Sequence, residues 1–103
     1  MGMGNLAKMA QQMQAEMARV QSELDALRLD GSAGGGAVRA VVSGRNELLE
    51  LHIEREVIDP DDAEMLADLV TAAVNDGLRQ VKERTEQMMG RVTGGMRLPP
   101  GFG

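Results

Sequence analysis

The basic side chains are the residues of this sequence best suited to ligand chemistry, and that chemistry is phosphate binding. Nine of the eleven basic residues are arginine, whose planar guanidinium can donate two hydrogen bonds to one phosphate group. Arg79, Lys82 and Arg84 lie within six positions, and Arg91 follows one heptad after Arg84. The alternative is a solvated face on which these cations pair with neighbouring carboxylates, for example Arg79 with Glu83.

The sequence offers no set of side chains for catalysis or for metal binding. It has no cysteine, and His52 is its single histidine, whereas a catalytic triad or a zinc site needs several such groups. The aspartates at 59, 61 and 62 lack the glycine and the distal glutamate of a calcium loop. The glycine run 34–36 lacks the Lys-Ser/Thr pair of a phosphate loop. We therefore predict a binding protein and not an enzyme, with no cofactor, no metal ion and no small-molecule substrate.

The net charge of −5 argues against a nucleic-acid partner until its distribution is considered. Residues 47–76 hold ten acidic residues and one basic residue, and residues 77–103 hold five basic and two acidic ones. Residues 1–46 are close to neutral, with five basic and four acidic residues. The acidic middle repels phosphate at close range, so a phosphate-binding surface must come from the ends of the chain. The candidate phosphate-binding residues are Lys8, Arg19, Arg79, Lys82, Arg84 and Arg91.

A long helix is predicted from Asn5 to about Leu29, because apolar residues recur there at spacings of three and four. The core has little to cover such a helix, since the single aromatic residue of the chain is Phe102. Part of the apolar seam must therefore pack on another long helix or on a partner chain, and we expect a homodimer. The seam consists of Leu6, Met13, Met17, Val20, Leu24 and Leu27.

The middle of the chain predicts a small antiparallel β-meander. Residues 37–43 and 49–54 alternate apolar and polar side chains, and residues 44–46 read as the turn between them. Residues 27–32 can add a third strand before the glycines.

A second long helix is predicted from Asp59-Pro60 to about Arg91. Asp59 suits the N-cap and Pro60 the first helical position, and Gly94-Gly95 ends the helix. The order of helix, two or three strands and helix defines an α+β fold.

Three segments, in order along the chain, carry a resemblance to a known family. They are Gly4-Asn5-Leu6 with Gln11-Gln12-Met13-Gln14, then Glu64-Met65-Leu66 with Asp68-Leu69-Val70, Ala72-Ala73 and Asn75-Asp76, and last Gly95-Met96-Arg97-Leu98-Pro99-Pro100-Gly101-Phe102. Together they resemble the YbaB/EbfC family of nucleoid-associated DNA-binding proteins. The resemblance implies a cytoplasmic, nucleoid-associated homodimer that binds duplex DNA. The candidate phosphate-binding residues are then the predicted DNA-binding residues: Lys8, Arg19, Arg79, Lys82, Arg84 and Arg91. The resemblance also implies a tweezer-like shape, with helical arms that project from a body built around the sheets.

We predict a single YbaB-like α-β-α domain over residues 1–96 and a Pro/Gly-containing tail over residues 97–103, which docks on an apolar surface or a partner. No apolar run is long enough for a membrane span, so no membrane partner is expected. The predicted function is duplex DNA binding with little base-specific readout, because no known recognition motif is legible; it would affect nucleoid organisation and gene expression. The alternative is a coiled-coil adaptor that clasps a protein, with incidental DNA affinity.

Overall fold

The chain folds as a long helix, a three-stranded antiparallel sheet and a second long helix in the computed structural model, which describes residues 3–92. The elements are α1 (Met3–Ala26), β1 (Arg28–Ala33), β2 (Val38–Ser43), β3 (Leu48–Ile53), a 3-10 turn (Arg55–Val57) and α2 (Ala63–Val92). The strands are ordered β1-β2-β3 in the sheet. The predicted α+β class is confirmed, and the meander has three strands. The tail and Gly94-Gly95 lie outside the described residues.

Helix α1 ends about three residues earlier than the apolar period predicts, because the chain enters the sheet at once. Arg28 is already paired with Ser43 across the β1–β2 ladder, so its backbone is committed to the strand. The β2–β3 turn also lies tight against the end of the helix, where a Cβ on Gly44 would be 2.1 Å from the carbonyl oxygen of Leu24.

Helix α2 begins after Asp62, and the predicted start at Asp59-Pro60 is wrong. The Asp61 N–H donates to Asp59 Oδ1 at 2.9 Å, and the Asp62 N–H donates to the Asp59 carbonyl at 3.0 Å. These bonds close a turn, in which proline favours the second position. The N-cap is Asp62, whose Oδ1 accepts the N–H of Met65 at 3.1 Å.

The main core lies between α2 and the first two strands. Val38, Ala40 and Val42 alternate along β2 and have no exposed surface, and Ala73 of α2 is equally buried. Because these side chains are small, α2 lies close to the sheet. The strand β3, at the edge of the sheet, is left largely uncovered.

Helix α1 is held to the body through its C-terminal part. Val20 and Leu24 pack with Met88 of α2 in a second buried cluster, and Leu27 packs against it half-buried. The seam residues before Val20 are open: Leu6 is 65 %, Met13 46 % and Met17 44 % exposed. The predicted seam is therefore divided into a part packed within the chain and a part that projects.

Candidate nucleic-acid interface

The described cations of α2 lie in its second half, far from the carboxylates at its start. Lys82 and Arg84 are exposed, and neither forms an ion pair with a residue that the structure describes. A rise of about 1.5 Å per residue places Lys82 about 30 Å from Asp62 along the helix. That separation is roughly three Debye lengths at 0.1 M salt, so the acidic end scarcely opposes phosphate at these side chains.

The cations of α2 point in different directions around the helix. With about 100° between successive residues, Lys82 lies about 60° from Arg79, whereas Arg84 lies about 140° from Arg79 and about 160° from Lys82. Lys82 borders a hollow that Gly44 and Asn46 of the β2–β3 turn also line. A straight duplex that approaches from one side therefore meets Arg79 with Lys82, or meets Arg84, but not all three.

Arg79 is joined to the body through Asp76. Its guanidinium donates to Asp76 Oδ1, while Asp76 Oδ2 accepts the N–H of Ser32 at 3.0 Å. Next to this pair, the Gln80 amide donates to the carbonyl of Asp30 at 2.8 Å. The Ser32 hydrogen bond first, and the charge of Arg79 after it, hold the pKa of the Asp76 carboxyl below its ordinary value. Asp76 thus ties α2 to β1, and a phosphate must compete with it for Arg79.

The two predicted cations of α1 share one face. Lys8 and Arg19 are eleven residues apart, which places them about 20° from each other around the helix and at least about 100° from the seam residues of α1. Both are exposed. Arg19 donates to Glu16 one turn earlier, whereas Lys8 forms no ion pair within the described chain. The last predicted contact, Arg91, belongs to α2 by its backbone, and its side chain lies outside the described residues.

The sheet and its β2–β3 turn carry cations that were not predicted from the sequence as binding residues. Arg28 Nη1 lies 3.8 Å from Glu50 Oε2, and Arg45 Nε lies 3.1 Å from Asp25 Oδ1. Arg39 is exposed and has no such partner among the residues described. The alternation of side chains along β2 places Arg39 on the face of the sheet away from α2. This alternation is the sequence pattern from which an exposed Arg39 could have been predicted.

Residues 3–92 contain no group of three metal-binding side chains and no helix long and apolar enough to cross a membrane. His52 lies on the polar face of β3, where its Nε2 is 3.3 Å from Glu50 Oε1. The described site is therefore a set of surface cations, which can bind an anionic polymer by charge.

The fold and these cations define a class of small α+β proteins in which a three-stranded antiparallel sheet lies between two long helices that carry exposed basic side chains. Within that class, residues 1–96 match the model of the YbaB/EbfC DNA-binding family. The chain belongs to this family, and the resemblance seen in the sequence is confirmed.

Similar proteins extend over most of the chain. It is 52% identical over 97 residues to a nucleoid-associated protein of Clostridium perfringens, covering 94% of this chain and 87% of that one. It is 45% identical over 97 residues to a nucleoid-associated protein of Alkaliphilus metalliredigens, covering 94% and 85%. The crystal structure of an uncharacterized protein from Helicobacter pylori has the same fold, with a TM-score of 0.74 at 23% identity, covering 88% of this chain and 96% of that one.

Proposed function

We propose that this protein is a cytoplasmic, nucleoid-associated protein that binds duplex DNA as a homodimer through its helical arms, the segments 4–19 of α1 and 79–92 of α2. Binding with little base-specific readout would affect nucleoid organisation and gene expression. Membership of a DNA-binding family and relatives named nucleoid-associated proteins support the DNA partner. The observation that carries the proposal is the exposure of Lys82 and Arg84 in the half of α2 away from its acidic start, where neither cation pairs with a carboxylate of residues 3–92.

The charge distribution explains how a chain of net charge −5 can bind DNA. Each phosphate contact by a lysine or arginine releases condensed counterions, which supplies affinity that does not depend on sequence. Lys82 and Arg84 lie about 30 Å or more from Asp62 along α2, beyond the screening distance of the carboxylates at the start of the helix. A homodimer doubles the number of arms. Differences in affinity between DNA sequences would then come from the shape and deformability of the duplex.

The homodimer is supported by apolar surface that one chain leaves open. On β3, Leu48 pairs with Val42 and Leu51 with Ala40, so both leucines lie on the face of the sheet that α2 covers elsewhere. They remain 48% and 39% exposed. Burial of apolar side chains is the main favourable contribution to association, and a second copy that covers this face would supply it.

The open methionines of α1 also suit the adaptor function. Met9, Met13 and Met17 are 60%, 46% and 44% exposed, and flexible methionine surfaces adapt to varied protein partners. In an adaptor, these residues and not the cations would decide binding.

Titration of a random-sequence duplex at several salt concentrations, with sedimentation of the free protein, tests the proposal. Several phosphate contacts require affinity that falls steeply with salt, and the homodimer requires a mass of twice the 11.0 kDa chain. The absence of salt-dependent binding to any duplex would favour the adaptor. A stable folded monomer would contradict the dimer.

A further inference from the structure

A shallow groove on the first half of α2 has an apolar floor and an acidic rim. It encloses about 520 Å³ and is lined by Asp62, Glu64, Met65, Asp68, Leu69 and Ala72. Met65 is 38% exposed. Leu69, half-buried, borders the β1–β2 turn, where its Cδ2 would lie 3.1 Å from a Cβ on Gly34. The groove shares no residue with the arms or with the open leucines of β3.

The rim carries charge that the described chain does not balance. Glu64 and Asp68 are one helical turn apart and exposed, and neither forms an ion pair with a described residue. Like charges at this spacing destabilise a helix. An occupant with apolar side chains next to a cation therefore fits the groove, because it covers the floor and relieves the repulsion.

The sequence after the described residues has this composition. Arg97 is followed by Leu98, two prolines and Phe102, and no acidic residue occurs after Glu86. Prolines favour an extended, preorganised backbone that loses little entropy when it lies in a groove. We propose that the segment 97–102 of a second copy of this chain binds the α2 groove, with Arg97 at the carboxylates of Glu64 and Asp68.

The length of the chain requires a second copy. Asp68 lies 24 residues before Val92 on the same helix, which is about 36 Å. The five residues from Val92 to Arg97 span at most about 18 Å when fully extended. The segment therefore cannot place Arg97 at the groove of its own chain, whereas a neighbouring molecule has no such limit. The contact joins copies by a surface that DNA binding through the arms leaves free.

A cysteine pair tests the contact directly, because the chain has no cysteine of its own. Ala72, at the groove, is exposed, so the full-length Ala72→Cys/Leu98→Cys variant should keep the fold of the described residues. Mild oxidation should join position 72 of one copy to position 98 of another. The matched control is Ala18→Cys/Leu98→Cys, since Ala18 is an exposed alanine on α1. Disulfide formation should be about tenfold faster for the groove pair, because docking raises the effective concentration of the thiols.

Non-reducing gels with peptide mass spectrometry identify the joined positions. Equal rates for the two pairs, or a 72–98 disulfide within one chain, would overturn the proposal. In the groove variant, Asp68→Lys or Arg97→Glu alone should slow the reaction, and both together should restore it. Failure of the two charges to compensate would also count against the contact. Since the readout uses no DNA, its outcome is separate from that of the duplex titration.

Discussion

Gly31 of β1 and Gly77 of α2 lie backbone against backbone. A Cβ on Gly31 would be 2.3 Å from the amide nitrogen of Gly77 and 2.1 Å from the carbonyl oxygen of Ala73. Neither atom can move without moving the helix. This close approach lets α2 come near enough to the sheet for small side chains to fill the core.

Gly31→Ala should therefore lower the free energy of unfolding by about 2–3 kcal/mol or more, because the added methyl overlaps backbone on α2. Urea denaturation of the purified protein measures the change. The control is Gly90→Ala in α2, where an added Cβ meets nothing within 4 Å. That control should gain about 0.5–1 kcal/mol from helix propensity. Equal effects of the two substitutions would contradict the close approach.

Asp76 should make stability depend on pH in the acid range. Its pKa in the folded protein is lowered by the Ser32 hydrogen bond and by Arg79, so folding favours the ionised carboxyl. The resulting stabilisation is present above the unfolded pKa of about 4 and is lost as the pH falls through the lower folded pKa. The Asp76→Asn variant should be less stable near neutral pH, and its free energy of unfolding should fall less steeply as the pH is lowered. Unchanged curves from pH 7 to pH 2 would show that Asp76 does not tie α2 to β1.

The arm cations should determine DNA affinity. The combined variant Arg79→Glu, Lys82→Glu, Arg84→Glu should weaken all duplexes about equally, and the salt slope should fall by about 0.9 for each phosphate that the protein no longer neutralises. The matched control reverses three cations of the sheet and its turn, Arg28, Arg39 and Arg45, with the same change in net charge. Affinity and slope measured on several duplexes compare the two. An equal loss of affinity in both variants would indicate a general effect of net charge, and an unchanged arm variant that remains folded would refute the site.

The open leucines of β3 should hold the homodimer. Leu51→Asp puts a charge on a side chain that is 39% exposed in the single chain, so the fold should tolerate it while the dimer should not. Sedimentation should then show the 11.0 kDa monomer. His52→Asp places the same charge on the opposite face of the strand and should leave the mass unchanged. A dimer that survives Leu51→Asp would place the interface elsewhere.

The two parts of the α1 seam should respond differently to charge. Val20→Asp buries a carboxylate in the cluster with Leu24 and Met88, and should cost about 3 kcal/mol or more of unfolding free energy. Met13→Asp, in the open part, should cost less than about 1 kcal/mol. Thermal melts at one protein concentration compare them. Similar losses of stability in both variants would mean that the whole seam is packed.

Local patterns in the sequence were sufficient for the order and type of the elements. The apolar period of three and four residues marks α1 and α2 because it places one side of a helix against the core. Alternation marks β2 in the same way, and the family follows from motifs spread along the chain. The segregation of charge, acidic in residues 47–76 and basic after them, is also a property of the sequence alone.

Contacts between distant residues were decided only by the tertiary structure. Helix α2 is capped by Asp62 and not by Asp59, because the Asp59 side chain forms part of a turn. The sequence could not distinguish the two sites, since both aspartates have suitable capping chemistry. The period of α1 is the same at Met13 and Val20, yet only Val20 meets α2. Likewise, no local pattern pairs Gly31 with Gly77 or directs Asp76 to Ser32. Sequence periodicity shows which side of an element is apolar, but the element that covers it depends on how the chain returns in three dimensions.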